Sequence, residues 1–559
     1  MGHRVLHIVA VGIATLAAGS AVAASAGIRD ALSNEAIGLL PAERFRLSTG
    51  KCADCSVPRQ HLWYFENDVV AVPKTSAGAA FSTGADRNSD VAKWAATPAA
   101  AELLPASVVW IGAPSIVDKA SILAGAQRLR TAAGQELDFK LVPKISTNRS
   151  YADSSTAAYF AGRTVRMRGT LDNERARAVF TARTIWPTDY SFDPAKLKRE
   201  PLTAASELTA FVRAPVKQQT GLDTRLLWER HPGQARVWKD KPVLGIVLNG
   251  AQGDDDESLG GHFAIATGRF GEHGDWSGWA VNNFYNLDSV SEKGIIAATV
   301  PMDNYLMDLN SGQQYYRPSY MLVAVLNNQR TAVAYQGGVQ RVFNRFYRHD
   351  FRYRHAAANC TGISVDVFAS LGWHIPKRGP TAPLKSIAAY AYVSAKEASF
   401  ASGRKIYDYL NEEQTRLLPA VAFDAMGQDL LQIVGGAPQR RLSPYEQQLR
   451  DDVEAIMLVR IPQVPSSRAM GSAPVFSFDE FRSRVPEDQA KWKIVPVADR
   501  PFPASLRGEA FVPEEDPPVV PWPVAGIGVG AVLAMLLVRG RRKKEAVARK
   551  PVQVAVTLE

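Results

Sequence analysis

Hydrophobic and polar positions divide this 559-residue chain into three regimes. From residue 27 to about 205, apolar residues alternate with polar ones at the period of two that marks half-buried strands. His61-Leu62-Trp63-Tyr64-Phe65 and Val69-Val70-Ala71-Val72 read as paired strands around Glu66-Asn67-Asp68. Arg163 to Leu171 sets Val165, Met167 and Gly169 against Thr164, Arg166 and Arg168. Asp172-Asn173 then makes a turn, and Ala176 to Trp186 returns as a strand. The pattern predicts a β-rich domain, with a barrel as one form open to it. Pro187, Pro194 and Pro201 punctuate its exit near residue 205.

Residues 206–378 mix the two periods. Val243 to Leu248 is a continuous apolar run, the mark of a buried strand. Gly261 to Arg269 reads as a strand, Gly271 to Gly278 as a turn-rich connection, and Trp279 to Leu287 as the returning strand. Tyr320 to Leu326 is a further strand, and Thr331 to His349 a helix. A second helix starts at Cys360: Asn359 is a good N-cap, Ile363, Val367, Phe368 and Leu371 form an apolar stripe, and Gly372 is a natural stop. Residues 379 to about 515 combine helical stretches, such as Asn411 to Val434, with a strand-like Ala455 to Ile461. Pro513 to Pro518 form a stiff acidic linker.

Both ends predict membrane traffic. Arg4 precedes an apolar stretch from Val5 to Ala18, followed by small residues at Ala21-Val22-Ala23 and Ala24-Ser25-Ala26, the layout of a secretory signal peptide over 1–26. Val519 to Val538 carries no charge and is long enough to cross ~30 Å of hydrocarbon. Arg539, Arg541, Arg542, Lys543 and Lys544 follow, which by the positive-inside rule marks 539–559 as a cytoplasmic tail. The expected placement is a single-pass protein of a bacterial inner membrane with its main body on the exported, periplasmic side.

The formal charge of +10 is spread along the chain and suits anionic lipid or cell-wall surfaces. No nucleic-acid motif appears. Three cysteines are present. Cys52 and Cys55 form Cys-Ala-Asp-Cys; no His follows directly, so haem attachment fails, and a zinc site would need two more ligands, with His61 a single candidate. A redox pair would need a βαβ setting that the pattern does not show, leaving a local disulfide as the leading reading. Cys360 is then the odd thiol.

At a helix N-terminus the dipole and the free N–H groups favour thiolate, and the Cys360 N–H can meet a developing oxyanion. His262 opens the strand about a hundred residues upstream and is the candidate base. In a hairpin centred near His273, His262 lies opposite Asn283 to Asn286. Asn283 and Asn286 are the candidates to hold the imidazole, Asn282 less so, and parity decides between them. Edge or turn asparagines are the bland alternative. Arg341, Arg345, Arg348 and Arg352 share one helical face, so Arg345 and Arg352 are candidates for phosphate head groups, with a solvated basic face as the alternative. The acidic loop Gly253 to Glu257 fits a solvated loop or a cation contact.

A strand His first and an Asn-Cys helix start much later resemble the circularly permuted papain-like group, which includes the lecithin–retinol acyltransferase relatives and permuted cell-wall peptidases. The stretch from Tyr320 through Leu371 is most similar to the periplasmic domain of bacterial lipoprotein intramolecular transacylases. The resemblance covers about 220 to 378; it implies Cys360 as nucleophile, His262 as base, no metal or organic cofactor, and lipid or lipoprotein acyl groups as substrate. The expected fold class is α+β: an N-terminal β-rich domain (27–205), a permuted papain-like catalytic domain (206–378), a mixed region (379–518) and one transmembrane helix. A peptidoglycan amidase or endopeptidase, and a non-enzymatic envelope binding or assembly protein, are the competing readings. Oligomeric state is not readable.

Overall fold

The computed structural model describes residues 27–462 and residue 488, interrupted chiefly at 50–64, 75–86, 102–107, 142–158, 215–220, 250–260, 287–294, 309–317 and, apart from Phe351 and Tyr353, 348–357. Two large sheets dominate. The first is a ten-stranded sheet in the order Asp223–Glu229, Val453–Ile461, Ser319–Leu326, Pro242–Asn249, His262–Arg269, Ala280–Asn286, Ile295–Pro301, Val109–Gly112, Val69–Pro73 and Phe45–Thr49. Its neighbours run antiparallel except Ile295–Pro301 against Val109–Gly112, which are parallel. The central strands read as unbroken apolar runs because they are covered on both faces: every residue of Pro242–Asn249 and of Ser319–Leu326 is buried.

The second sheet closes on itself. Ser115–Ile122 pairs with Thr164–Asp172, which pairs with Val179–Pro187, then Glu136–Leu141, then Arg128–Arg130, which returns to Ser115–Ile122. Val117, Leu129, Phe139, Val165, Met167 and Phe180 fill this small barrel. The strand Thr164–Asp172 bulges between Arg168 and Gly169. A Cβ at Gly169 would fall 2.4 Å from the carbonyl oxygen of Thr181, so the bulge is tight enough to demand glycine.

The alternation at Val165–Arg168 has a second consequence. Val165 and Met167 face the barrel interior, while Arg166 and Arg168 face outward onto the ten-stranded body and are themselves buried. Arg168 makes a two-pronged contact to Asp303 at 3.0 and 3.2 Å. Arg166 donates to Asp275 at 2.9 Å and to the Ser277 hydroxyl at 2.8 Å. Arg183 on the next strand donates to Asp308 at 2.9 Å and to Asp68. Barrel and large sheet are thus joined by a row of guanidinium–carboxylate pairs, of which Arg168–Asp303 and Arg183–Asp308 are buried on both sides.

The expected partition of the chain is not the one the sheets follow. Three strands at 45–73 and 109–112 extend the large sheet, not the barrel, and Val453–Ile461, from the region after 379, sits inside that sheet between Asp223–Glu229 and Ser319–Leu326. The expected membrane helix is also corrected. Among the described residues no helix is long and apolar enough to cross a membrane. The longest, Arg330–Tyr347, carries Arg341, Gln336, Gln340 and Asn344, and packs its apolar side on the sheet. Val519 to Val538, the leader at 1–26 and the tail at 539–559 lie outside the described residues, so the single-pass inner-membrane placement is not retained.

Candidate active site

Cys360 is the first residue of the helix Cys360–Leu371. Asn359 caps it: its Oδ1 accepts from the N–H of Thr361 at 3.0 Å and of Gly362 at 2.8 Å. The Asn359 amide in turn donates to the carbonyl of Leu417 at 2.9 Å, which ties the cap to the following helical layer. Gly372 closes the helix at φ 109°, a conformation that costs a side chain dearly. The helix packs on the strand His262–Arg269, and Cys360 is buried.

The sheet register brings the base to the thiol. His262 is the first residue of its strand and pairs with Asn249. Ile265 pairs with Asn282, so Asn283 stands across from Ala264, on the same face as His262 two residues earlier. His262 Nε2–H donates to Asn283 Oδ1, which leaves Nδ1 as the basic nitrogen of a neutral ring. Asn283 is buried, and a carbonyl acceptor in that setting holds the ring in one tautomer. Asn282 points the other way, where its Oδ1 accepts from Thr299 at 2.7 Å and Gln340 at 3.3 Å beneath the helix Arg330–Tyr347.

Burial pushes the Cys360 thiol up. The charge of His262, a hydrogen bond from its ring, the N–H of Phe263 and the Thr361 hydroxyl together reverse that and bring the thiol down to about 7. The site therefore holds a thiol of lowered pKa beside an imidazole, and the imidazole is held from behind by an amide.

Four contributors were not visible in the sequence pattern. The Cys360 N–H donates to the hydroxyl of Tyr353 at 3.3 Å, so a phenol stands at the position expected for the carbonyl oxygen of a bound substrate. Tyr305 lies beside the imidazole with ring centroids 6.3 Å apart, and its hydroxyl donates to Asn249. Asn249 donates to Ser319 at 2.8 Å, so a short polar chain buttresses the His262 edge of three adjacent strands. Tyr353 comes from irregular chain, and the other three meet only through register, which composition and periodicity do not carry.

The remaining candidates do not gather here. Asn286 ends its strand opposite Ile295, and its side chain lies outside the described part. Arg345 is buried in its helix and Arg341 binds Asp90 at 2.7 and 2.9 Å, so the expected exposed basic face is partly interior. Arg352, Cys52, Cys55, His61 and the acidic loop 253–257 lie outside the described residues. No group of three or more His, Cys, Asp or Glu suited to a metal ion occurs among the described residues. A cleft of about 710 Å³ beside Arg44, Asp240, Arg269 and Gln329 opens at the opposite end of the His262 strand, about 23 Å along it. Arg269 already donates there to Leu39, Asp240 and Gln329.

No family model matches this chain, and no significant match is found among curated proteins or solved structures.

Proposed function

We propose that this protein is a cysteine-dependent acyltransferase or hydrolase. The observation that carries the reading is the convergence of three side chains from three elements: Cys360 at a capped helix start, His262 at a strand start beside that thiol, and Asn283 behind the imidazole. Nδ1 of His262 takes the thiol proton, and the thiolate attacks an acyl or amide carbonyl. The carbonyl oxygen, as it gains charge, displaces the Tyr353 hydroxyl and accepts the Cys360 N–H in its place. The protonated imidazole returns its proton to the leaving group. Water or an amine, deprotonated by the same imidazole, then attacks the acyl-enzyme and restores the thiol. The resemblance of the Asn-Cys helix and the strand His to transacylases favours acyl chains of lipids or lipoproteins as the donor.

The test is the pH dependence of Cys360 alkylation in the intact protein, with His262→Ala alongside. Below the thiol pKa the sulfur is protonated and slow; above it, thiolate reacts. Half-maximal rate is expected near pH 7. His262→Ala is expected to move that midpoint toward the ordinary thiol value of ~8.5 or beyond, since burial then acts alone. A thiol that stays inert until the protein unfolds, or one indifferent to His262, sinks the catalytic reading in favour of a binding protein.

A further inference from the structure

The helical pair Pro383–Lys396 and Phe400–Asn411 stands apart from the rest of the molecule. The two helices pack on each other, yet only Ser386, Tyr390 and Gly403 of their residues are buried. A large exposed apolar side chain on a protruding element needs an explanation, and this hairpin has three. Leu384 is 82% exposed, Tyr392 65% and Phe400 63%. Leu384, Ala388 and Tyr392 are spaced four apart, so they form one exposed stripe along the first helix.

Charge selects the occupant of that stripe. Residues 377–411 hold six Lys and Arg against Glu397 and Asp408. Arg404 pairs with Asp408 at 2.7 Å, Lys377 with Glu413 and Arg378 with Asp424. Lys385, Lys396 and Lys405 are exposed and have no ion pair among the described residues. Exposed Leu, Tyr and Phe bordered by uncompensated lysines match an anionic lipid surface: the rings and Leu enter the acyl boundary while the ammonium groups meet head-group phosphates. A neutral apolar groove would reward the stripe but leave the surplus cations unmatched.

The hairpin is also fastened to the candidate site. Its stem is closed by the Arg378 N–H donating to Thr415 and the Gln414 N–H donating to the Arg378 carbonyl, both at 2.8 Å. Arg416, two residues on, grips Asp366 of the nucleophile helix at 2.9 Å through both nitrogens, and Leu417 receives the amide of the Asn359 cap. We propose that the hairpin 383–411 docks on anionic lipid bilayers and sets the Cys360 end of the nucleophile helix against them, so that acyl chains at the surface are the donor class. This deepens the acyl-transfer reading and rests on it for the chemistry, though not for the docking.

The test uses the full chain carrying Cys52→Ser, Cys55→Ser, Cys360→Ala and Phe400→Cys, with an environment-sensitive fluorophore on the introduced thiol. Val237→Cys in the same background is the reference, because Val237 is 74% exposed and far from the hairpin in sequence. With vesicles of phosphatidylcholine containing phosphatidylglycerol, the probe at 400 is expected to brighten and shift to the blue while the probe at 237 does not. High salt reverses the shift. Each of Lys385→Gln, Lys396→Gln and Lys405→Gln is expected to raise the half-saturating lipid concentration about fivefold. No change at 400, an equal change at 237, or an equal response to pure phosphatidylcholine overturns the proposal. A shift that needs no vesicles and grows with protein concentration also overturns it, assigning the hairpin to a second copy. Because Cys360 is absent from these variants, the outcome is independent of the alkylation test: docking without thiol chemistry refutes only the enzyme, and thiol chemistry without docking refutes only the surface.

Discussion

Two buried polar regions of this protein solve the same problem in opposite ways. At the seam between barrel and large sheet, Arg166, Arg168 and Arg183 each face fixed carboxylates. Burial pulls the Arg183 guanidinium down, and Asp308 and Asp68 more than reverse it, so that cation is locked in. At the Cys360 centre no permanent charge is buried. Burial is opposed there by one imidazole and a few weak donors, and the thiol comes to rest near neutrality. A guanidinium cannot pass its proton on at any accessible pH, so the seam is mechanical. A thiol and an imidazole can exchange one, which is what the proposed chemistry needs. Burial alone distinguishes neither; the proton inventory does.

The comparison breaks most sharply at the nucleophile. Cys360→Ala is expected to remove acyl-enzyme formation on an activated acyl ester, cutting turnover roughly 10⁴-fold or more, with the adduct lost by intact-mass spectrometry. It should leave the thermal midpoint close to that of the parent. The seam should behave in reverse. Asp303→Ala strands Arg168 in the interior, and urea unfolding is expected to show a loss of about 3–5 kcal/mol, with Cys360 alkylation unchanged in the folded fraction. Replacing both partners, as Arg168→Met with Asp303→Leu, should recover most of that loss. If the double variant is as unstable as the single one, the seam does more than balance charge.

Smaller effects sharpen the contrast. Asn283→Ala frees the imidazole to rotate and is expected to slow acyl-enzyme formation roughly tenfold to a hundredfold, while Asn282→Ala, on the opposite face, should leave the pH profile in place. A shifted profile for Asn282→Ala would mean that the face assignment is wrong. Smallest is Asn359→Ala, which removes the cap from two backbone N–H groups and should lower stability by about 1 kcal/mol in denaturant titration.

Part of the centre is legible in the sequence. Asn359, Cys360 and Gly372 announced a helix by capping chemistry that is local to a few residues, and the helix indeed runs Cys360–Leu371. Val243 to Leu248 announced a buried strand, since a strand covered on both faces has no polar side to show, and the strand expected at Tyr320 to Leu326 is covered in the same way. What could not be read is whatever depends on who pairs with whom. Arg166 and Arg168 occupy the outward positions of an alternating strand and read as solvent-facing; a second body covers them. Ala455 to Ile461 reads as a strand but gives no sign that it belongs beside Ser319–Leu326. Gln340 and Thr299 form a polar contact inside an apolar layer at 2.6 Å, visible only once helix and sheet meet. Tyr353 reaches the Cys360 N–H from irregular chain, where no periodicity exists to read.

The placement of Val453–Ile461 sets a timetable for synthesis. Asp223–Glu229 pairs with it and Ser319–Leu326 leans on it, yet it is made after both. At ordinary ribosomal rates the interval between residues 326 and 461 is roughly 10–30 s. Throughout that time the largely apolar Ser319–Leu326 and the more polar Asp223–Glu229 stand with open backbone edges, the condition under which strands seek partners in other nascent chains. A chain that ends after Ser319–Leu326 but before Val453 keeps that edge open for good, so truncation in this interval is expected to give aggregation-prone products.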